Sequence, residues 1–280
     1  MVRIITDSAA DFEPRELEQL NIICIPITVI FGDEEYQENV NLTKDRFYEL
    51  LLSAANPPKS AQPSPQHLLD LFEDAVSAGD EAIYITLSSA LSGTWQSAMM
   101  TANMVQSPLV HVVDGRNATG GQRQMVEYAV RLRDQGKNAA QIVAALESLH
   151  GRVSLFACLD TLEYLYKGGR ISHTAYKLGT LANIKPIITI DGEGKVGVPA
   201  KAMGMRKGMD YLCKRLEVLP MDPDFPLYVM YTNKRSAAEA LAERLQSIGY
   251  QIPEDRIIQV GAGIGTHIGP DACGLVYIQK

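Results

Sequence analysis

Cysteine is scarce and scattered. Cys24, Cys158, Cys213 and Cys273 lie far apart, with no CxxC pair and no HExxH helix between them. The common zinc arrangements are therefore excluded, and no metal site is expected. Long hydrophobic runs are missing too. The longest, Ile22 to Phe31, is interrupted by Cys24, Pro26 and Thr28 and falls well short of the roughly 20 residues that span a bilayer. A signal-peptide pattern is also absent, so the expectation is a cytoplasmic protein with no stable membrane insertion. Positive charge is in deficit. Lys and Arg number 26 against 33 Asp and Glu, a net charge of −7, which argues against nucleic acid and anionic membrane surfaces as partners. No internal repeat and no low-complexity tract occurs.

What is present is an ordinary globular composition, 46% apolar and 21% charged over 280 residues, enough for a large core and two domains. Strand and helix signals alternate through the first half. Val2–Thr6, Ala82–Thr86 and Leu109–Asp114 read as buried strands. Ile22–Ile30 reads as one strand, with Pro26 marking an edge or a bulge. Helices are expected over Pro14–Leu20, Lys44–Ala54 capped by Thr43, Pro65–Ser77 capped by Ser64, Ser97–Val105, Thr119–Gln135 and Ala139–Leu149. Such alternation implies an open, mostly parallel sheet covered by helices, with a ligand beyond the carboxyl ends of its strands. The second half mixes hairpins with helices, including a helical stretch reaching Leu181 and a turn at Asp191–Gly194. The fold class is thus α/β, an N-terminal α/β domain over 1–150 and a C-terminal α+β domain over 151–280.

Three stretches suggest binding. Leu87–Ala98 is a hydroxyl-rich turn between a strand and a helix, suited either to an anion or simply to capping that helix. Asn56–Pro65 carries four prolines and reads as a stiff extended loop with Ser60 and Gln62 as its polar candidates. Gly261–Pro270 places four glycines around Thr266 and His267. It looks like a phosphate-cradling loop without the Lys-Ser/Thr ending of a P-loop, and His267 is open to a structural or a functional role. His111, alternating with apolar neighbours on a strand, is read as structural.

Six pieces together resemble the DegV family of bacterial fatty-acid-binding proteins. They are Ile5–Asp11, Pro58–Ser64, Leu87–Thr94, Tyr164–Ser172, Lys185–Ile187 and Gly265–Pro270, and they run in order along nearly the whole chain. The resemblance implies a two-domain DegV-like architecture enclosing one long-chain fatty acid. Carried over by position, Ser60 and Ser92 hold the carboxylate with His267 close by, and Thr266, Gly93 and Arg170 are expected as further head-group neighbours. It also implies a carrier with no catalytic residue or cofactor of its own, serving as the non-catalytic subunit of a fatty-acid kinase. A separate ATP-binding subunit would phosphorylate the bound carboxylate and feed phospholipid synthesis. Two departures stand out. Ser60-Ala61 replaces the usual Thr-Ser, and Met203 occupies a position where the family tends to carry an arginine facing the kinase, with Arg206 nearby.

The alternatives are an autonomous enzyme, either a serine hydrolase on Ser92 with His267 or a small-molecule kinase, and a carrier of some other apolar carboxylate. No G-x-S-x-G elbow, no evident acid for His267 and no Mg-ATP motif supports the enzymes. Met99, Met100 and Met104 are offered either as lining for the tail or as ordinary core packing.

Overall fold

The computed structural model describes residues 1–177 and 183–280. Four parallel strands, in the order Ile22–Ile25, Val2–Asp7, Glu81–Thr86 and Val110–Asp114, form the first sheet. Its strands read as unbroken apolar runs because both faces are covered. Ile5, Ala82 and Tyr84 face the helices Pro65–Ser77 and Thr94–Val105. Ile4, Ile83 and Ile85 face the helices Thr119–Asp134 and Ala139–Glu147.

A second sheet takes its six strands from residues 153 to 278. Their order is Val196–Met203, Ile184–Ile190, Val153–Cys158, Cys273–Ile278, Tyr228–Tyr231 and Ile257–Gln259, antiparallel except for the last pair. The period of two sorts its side chains. Phe156, Cys158, Leu275 and Tyr277 pack outward under the helices Gly204–Val218 and Arg235–Ser247. Leu155, Val276 and Met230 face inward and join the core of the first sheet. Helix Thr119–Asp134 is therefore clasped by both sheets, and its polar groups are shared between them. Gln122 Nε2 donates to Thr6 Oγ1 (3.0 Å) and Asp7 Oδ1 (3.1 Å), while Gln124 Nε2 donates to the carbonyls of Pro226 (2.9 Å) and Val276 (3.2 Å). Gly120 lets the second sheet approach, since a Cβ there would lie 3.1 Å from Met230 Sδ and 3.3 Å from Ile258 Cδ1.

Three expectations change. The single strand over Ile22–Ile30 is two strands in different sheets. Pro26 has no N–H to continue the parallel ladder, and after Ile27 the chain resumes as Thr28–Phe31 in a small antiparallel sheet with Glu34–Gln37 and Lys59–Ala61. The proline-rich loop is consequently a strand at its centre, with Ser60 paired opposite Val29. The glycine-rich stretch is mostly a helix, Ala262–Ile268. The glycines buy proximity rather than looseness: a Cβ on Gly265 would stand 2.6 Å from Phe47 Cε1 and 2.9 Å from the Tyr48 hydroxyl. The helix expected to reach Leu181 is described over His173–Lys177, and the remainder lies outside the described residues. No helix among the described residues is long and apolar enough to cross a membrane.

Candidate functional site

A cavity of about 290 Å³ lies between the carboxyl ends of the parallel strands and the inner face of the second sheet. Its floor is one row of the ladder. Ile188, Ala157, Gly274 and Met230 are successive cross-strand partners, and all four line the space. The two middle residues are small, so the floor dips between the flanking Ile188 and Met230 side chains. Gly274 is held there by crowding, because a Cβ would lie 2.7 Å from the Phe156 carbonyl oxygen and 2.9 Å from Ala157 Cβ. Leu155, Ile190, Val196 and Val260 continue an apolar wall.

The opposite end is polar, and four remote segments converge on it. Ser60 comes from the small sheet, Ser92 and Gly93 from the turn after Glu81–Thr86, Arg170 from the turn after helix Glu163–Lys167, and His267 from helix Ala262–Ile268. Ser60 Oγ and His267 Nε2 share a hydrogen bond of 2.8 Å. Ser92 Oγ lies 2.9 Å from Thr94 Oγ1 and accepts from the Thr94 N–H at 3.3 Å. Burial, followed by the nearby Arg170 charge, pushes the His267 pKa down to about 4, so the imidazole is neutral at neutral pH. Its Nδ1 is buried without a partner among the described residues. Arg170 donates from Nε to the Leu91 carbonyl (3.0 Å) and from Nη1 to the Gly168 carbonyl. Half-burial lowers its pKa, and among the described residues no carboxylate pairs with it. The polar end therefore presents hydroxyls, a neutral imidazole and an uncompensated cation, a set that suits an anionic oxygen ligand.

The supporting residues are acids. Glu38 accepts from the backbone N–H groups of Ala262 and Gly263 (3.2 Å for the latter) and from Ser8 Oγ at 2.6 Å. Asp11 Oδ1 accepts from Gly261 N–H at 2.8 Å. Together they satisfy the first amides of the helix that carries His267. Burial pushes Asp11 up to about 8 and raises Glu38 as well. Asp7, also raised by burial, to about 6, accepts from the Leu87 N–H (2.9 Å) and so fixes the start of the serine-rich turn.

Of the expected site residues, Ser60, Ser92, Gly93, Arg170 and His267 all line the cavity. Thr266 does not. Its hydroxyl donates back to the Ala262 carbonyl at 2.9 Å, one helical turn away, because adjacent residues on a helix point about 100° apart. The capping alternative for the serine-rich turn holds in a different form. The helix starts at Thr94, ahead of the expected Ser97, its cap position is Gly93, which has no side chain to offer, and it is Ser92 that accepts from the first helix N–H, at Thr94. Ser88 instead donates to the Gly194 carbonyl (2.8 Å), and Ser89 Oγ to Asp114 (2.5 Å). Met100 and Met104 are 70% and 68% exposed, and Met99 faces a different surface pocket, so none of the three lines the cavity. Met230 does. Sequence reading missed Glu38, Asp11 and the Ala157–Gly274 floor. The small residues in otherwise bulky strands, Leu155-Phe156-Ala157-Cys158 and Cys273-Gly274-Leu275-Val276, were the available signal for the floor.

Comparison with known proteins gives a consistent set of matches. The DegV family model matches residues 1–280. A DegV domain-containing protein of Caldanaerobacter subterraneus subsp. tengcongensis is 31% identical over 282 residues, covering 100% of this chain and 99% of the relative. A solved DegV family protein from Thermus thermophilus, described for its fatty acid binding, superposes with a TM-score of 0.89 at 28% identity, covering 100% of this chain and 99% of that one. DegV from Bacillus subtilis, described as a fatty acid binding protein, does so with a TM-score of 0.84 at 27% identity and the same coverage.

Proposed function

The chain belongs to the DegV family, and from that premise we propose that it is a carrier of one long-chain fatty acid. The carboxylate would sit among Ser60, Ser92, His267 and Arg170, and the tail would lie over the Ala157–Gly274 floor. The observation that carries this reading is a single cavity with an apolar wall and a polar end whose cation has no acid partner among the described residues. The relatives' described ligand supports it.

The energetics are consistent with a division of labour. Burying about fourteen methylenes at roughly 0.8 kcal/mol each supplies on the order of 11 kcal/mol before association costs. Hydrogen bonds to a charged head group contribute about 1.5–3 kcal/mol each. The tail thus supplies most of the affinity, and the polar end selects an anion and fixes its orientation. A neutral His267 leaves carboxylate oxygens nucleophilic, in keeping with a role as the non-catalytic subunit that presents the acid to a separate ATP-dependent kinase for acyl-phosphate formation. Met203, 55% exposed, occupies the position at which the family resemblance implies an arginine facing that partner, with Arg206 nearby. A two-domain division at 1–150 and 151–280 and a cytoplasmic location belong to the same proposal.

Native mass spectrometry of protein purified gently from bacteria tests it: a bound long-chain fatty acid is expected, and uniformly ligand-free protein that also fails to bind added oleate would overturn it. Hydrolysis of esters by the isolated chain would favour the enzyme reading, against which the unpartnered His267 Nδ1 speaks, since a triad histidine needs an acid there.

A further inference from the structure

Two adjacent glycines end the helix Glu163–Lys167, and they are glycine for different reasons. Gly169 has φ +74 with open space around its α-carbon, so its backbone conformation demands glycine. Gly168 has φ −75 and ψ −9, which any residue adopts, so conformation does not explain it. Its surroundings do. A Cβ on Gly168 would run into His267 Nδ1 and lie 3.1 Å from both His267 Cε1 and the Tyr164 carbonyl oxygen.

We propose that Gly168 is a positioning residue for the polar end of the cavity: the space left by its missing Cβ is where the His267 imidazole stands, and that space keeps the ring turned toward Ser60. The assignment rests on the fatty-acid reading only for what the ring then does. His267 cannot yield by moving its backbone. Its helix is held at the start by Glu38 and Asp11, is packed at Gly265 against Phe47 and Tyr48, and ends at Gly269, whose φ of +73 places its α-carbon against the Tyr164 ring. A methyl group at 168 must therefore turn the ring, and a turned ring loses the 2.8 Å bond to Ser60.

The same packing fixes the proton. Nδ1 faces Gly168 with no partner, and a buried N–H without an acceptor is rarer and costlier than a buried lone pair without a donor. The neutral ring accordingly carries its proton on Nε2 and donates it to Ser60 Oγ. Ser60 then has its own hydroxyl proton to give, and since its hydroxyl has no other partner among the described residues, an acceptor on the ligand can take it. Gly168 thereby acts at one remove: it sets the ring, the ring sets Ser60, and Ser60 becomes a donor to the head group.

The test is a cycle of Gly168→Ala, His267→Ala and the double variant, read by calorimetric titration with oleate and by long-range proton–nitrogen NMR of the labelled imidazoles. His267→Ala identifies the His267 signals. The parent protein is expected to show the Nε2–H tautomer at His267. Gly168→Ala should abolish that signature and weaken oleate binding about tenfold, the loss of roughly one charge-directed hydrogen bond. In the His267→Ala background, where the ring is gone, adding Gly168→Ala should change affinity less than twofold. Equal weakening in both backgrounds, or an unaltered tautomer in Gly168→Ala, overturns the proposal. If Gly168→Ala alone fails to fold, a folded double variant supports the steric assignment and an unfolded one overturns it. If the parent binds no oleate the carrier reading fails by itself, and the tautomer comparison still decides the positioning role.

Discussion

The two ends of the cavity are built by opposite means. The floor is regular: neighbouring strands of one sheet contribute Ile188, Ala157, Gly274 and Met230 in a single cross-strand row, and its shape follows from side-chain size. The polar end is irregular. Ser60, Ser92, Arg170 and His267 come from four segments spread over more than two hundred residues, and their meeting depends on buried supports such as Glu38, Asp11 and Asp7. A row on a sheet changes smoothly when one residue changes size, because the ladder holds the backbone. A convergence of turns and helix ends is all-or-nothing at each support. On the proposed carrier function, the floor is the place where ligand length would be adjusted, and the polar end the place where ligand charge would be fixed.

That contrast can be broken by substitution. The largest effect is expected from Ala157→Phe, which fills the dip between Ile188 and Met230 and displaces about four methylenes of a long tail. At roughly 0.8 kcal/mol each this corresponds to a hundredfold or greater loss of oleate affinity. Decanoate, read by the same titration, should lose much less, and equal losses for both acids would show that the floor does not sort by length. Ser92→Ala should weaken both acids alike, by about ten- to a hundredfold, with the melting temperature little changed, because a turn hydroxyl carries little packing. Unchanged affinity would remove Ser92 from the polar end.

The supports make a pH prediction of intermediate size. Asp11 titrates near 8 in the folded protein against 3.8 unfolded, so the folded state holds a proton that the unfolded state has lost, and stability falls as pH rises toward 8. Asp7, near 6, acts in the same direction over a lower range, whereas His267, depressed to about 4, acts oppositely below pH 6.5. Between pH 6.5 and 8 the Asp11 contribution is therefore the clearest of the three. Denaturant titrations across that window should show a decline of roughly 1 kcal/mol that Asp11→Asn flattens. An undiminished decline in the variant would assign it to other groups. The smallest effect belongs to the surface: Met100→Lys with Met104→Lys should alter oleate affinity less than twofold, and a larger loss would mean that the exposed helix face takes part in binding.

Much of the floor's scaffold and of the polar end could be read from the chain before its structure. The parallel sheet followed from apolar runs such as Ala82–Ile85 alternating with amphipathic helices, and the helix starts at Thr43 and Ser64 followed from side-chain caps that the structure contains, accepting from Arg46 and His67 N–H groups. Local chemistry points to the serine-rich turn as a whole, to Ser60 and Gln62 in the proline-rich segment and to His267 among glycines, whereas Ser92 as the ligand serine comes from the resemblance to the DegV family, carried over by position. What stayed hidden was set by partners distant in sequence. Gly261–Gly269 looked like a loop by local propensity, and only the closeness of Phe47, Tyr48 and Glu38 makes a glycine-rich helix the favourable solution. Ile22–Ile30 looked like one strand because hydrophobicity continues past Pro26 while the hydrogen-bonding partner changes. Thr266 sits beside His267 in the chain and turns away from the cavity because helical neighbours diverge.

Ser60 owes its aim to the small antiparallel sheet, where it stands opposite Val29 with Lys59 and Ala61 on either side. Side chains on a strand alternate between faces, so the placement of the hydroxyl is a matter of parity. A slip of that register by one residue would turn Ser60 away from the cavity, and a slip of two would restore the face without the hydroxyl, since Pro58 or Gln62 would then stand opposite Val29. Keeping the hydroxyl at the cavity therefore requires the Val29–Ser60 register itself, and any change in the length of the approach has to be absorbed before Lys59.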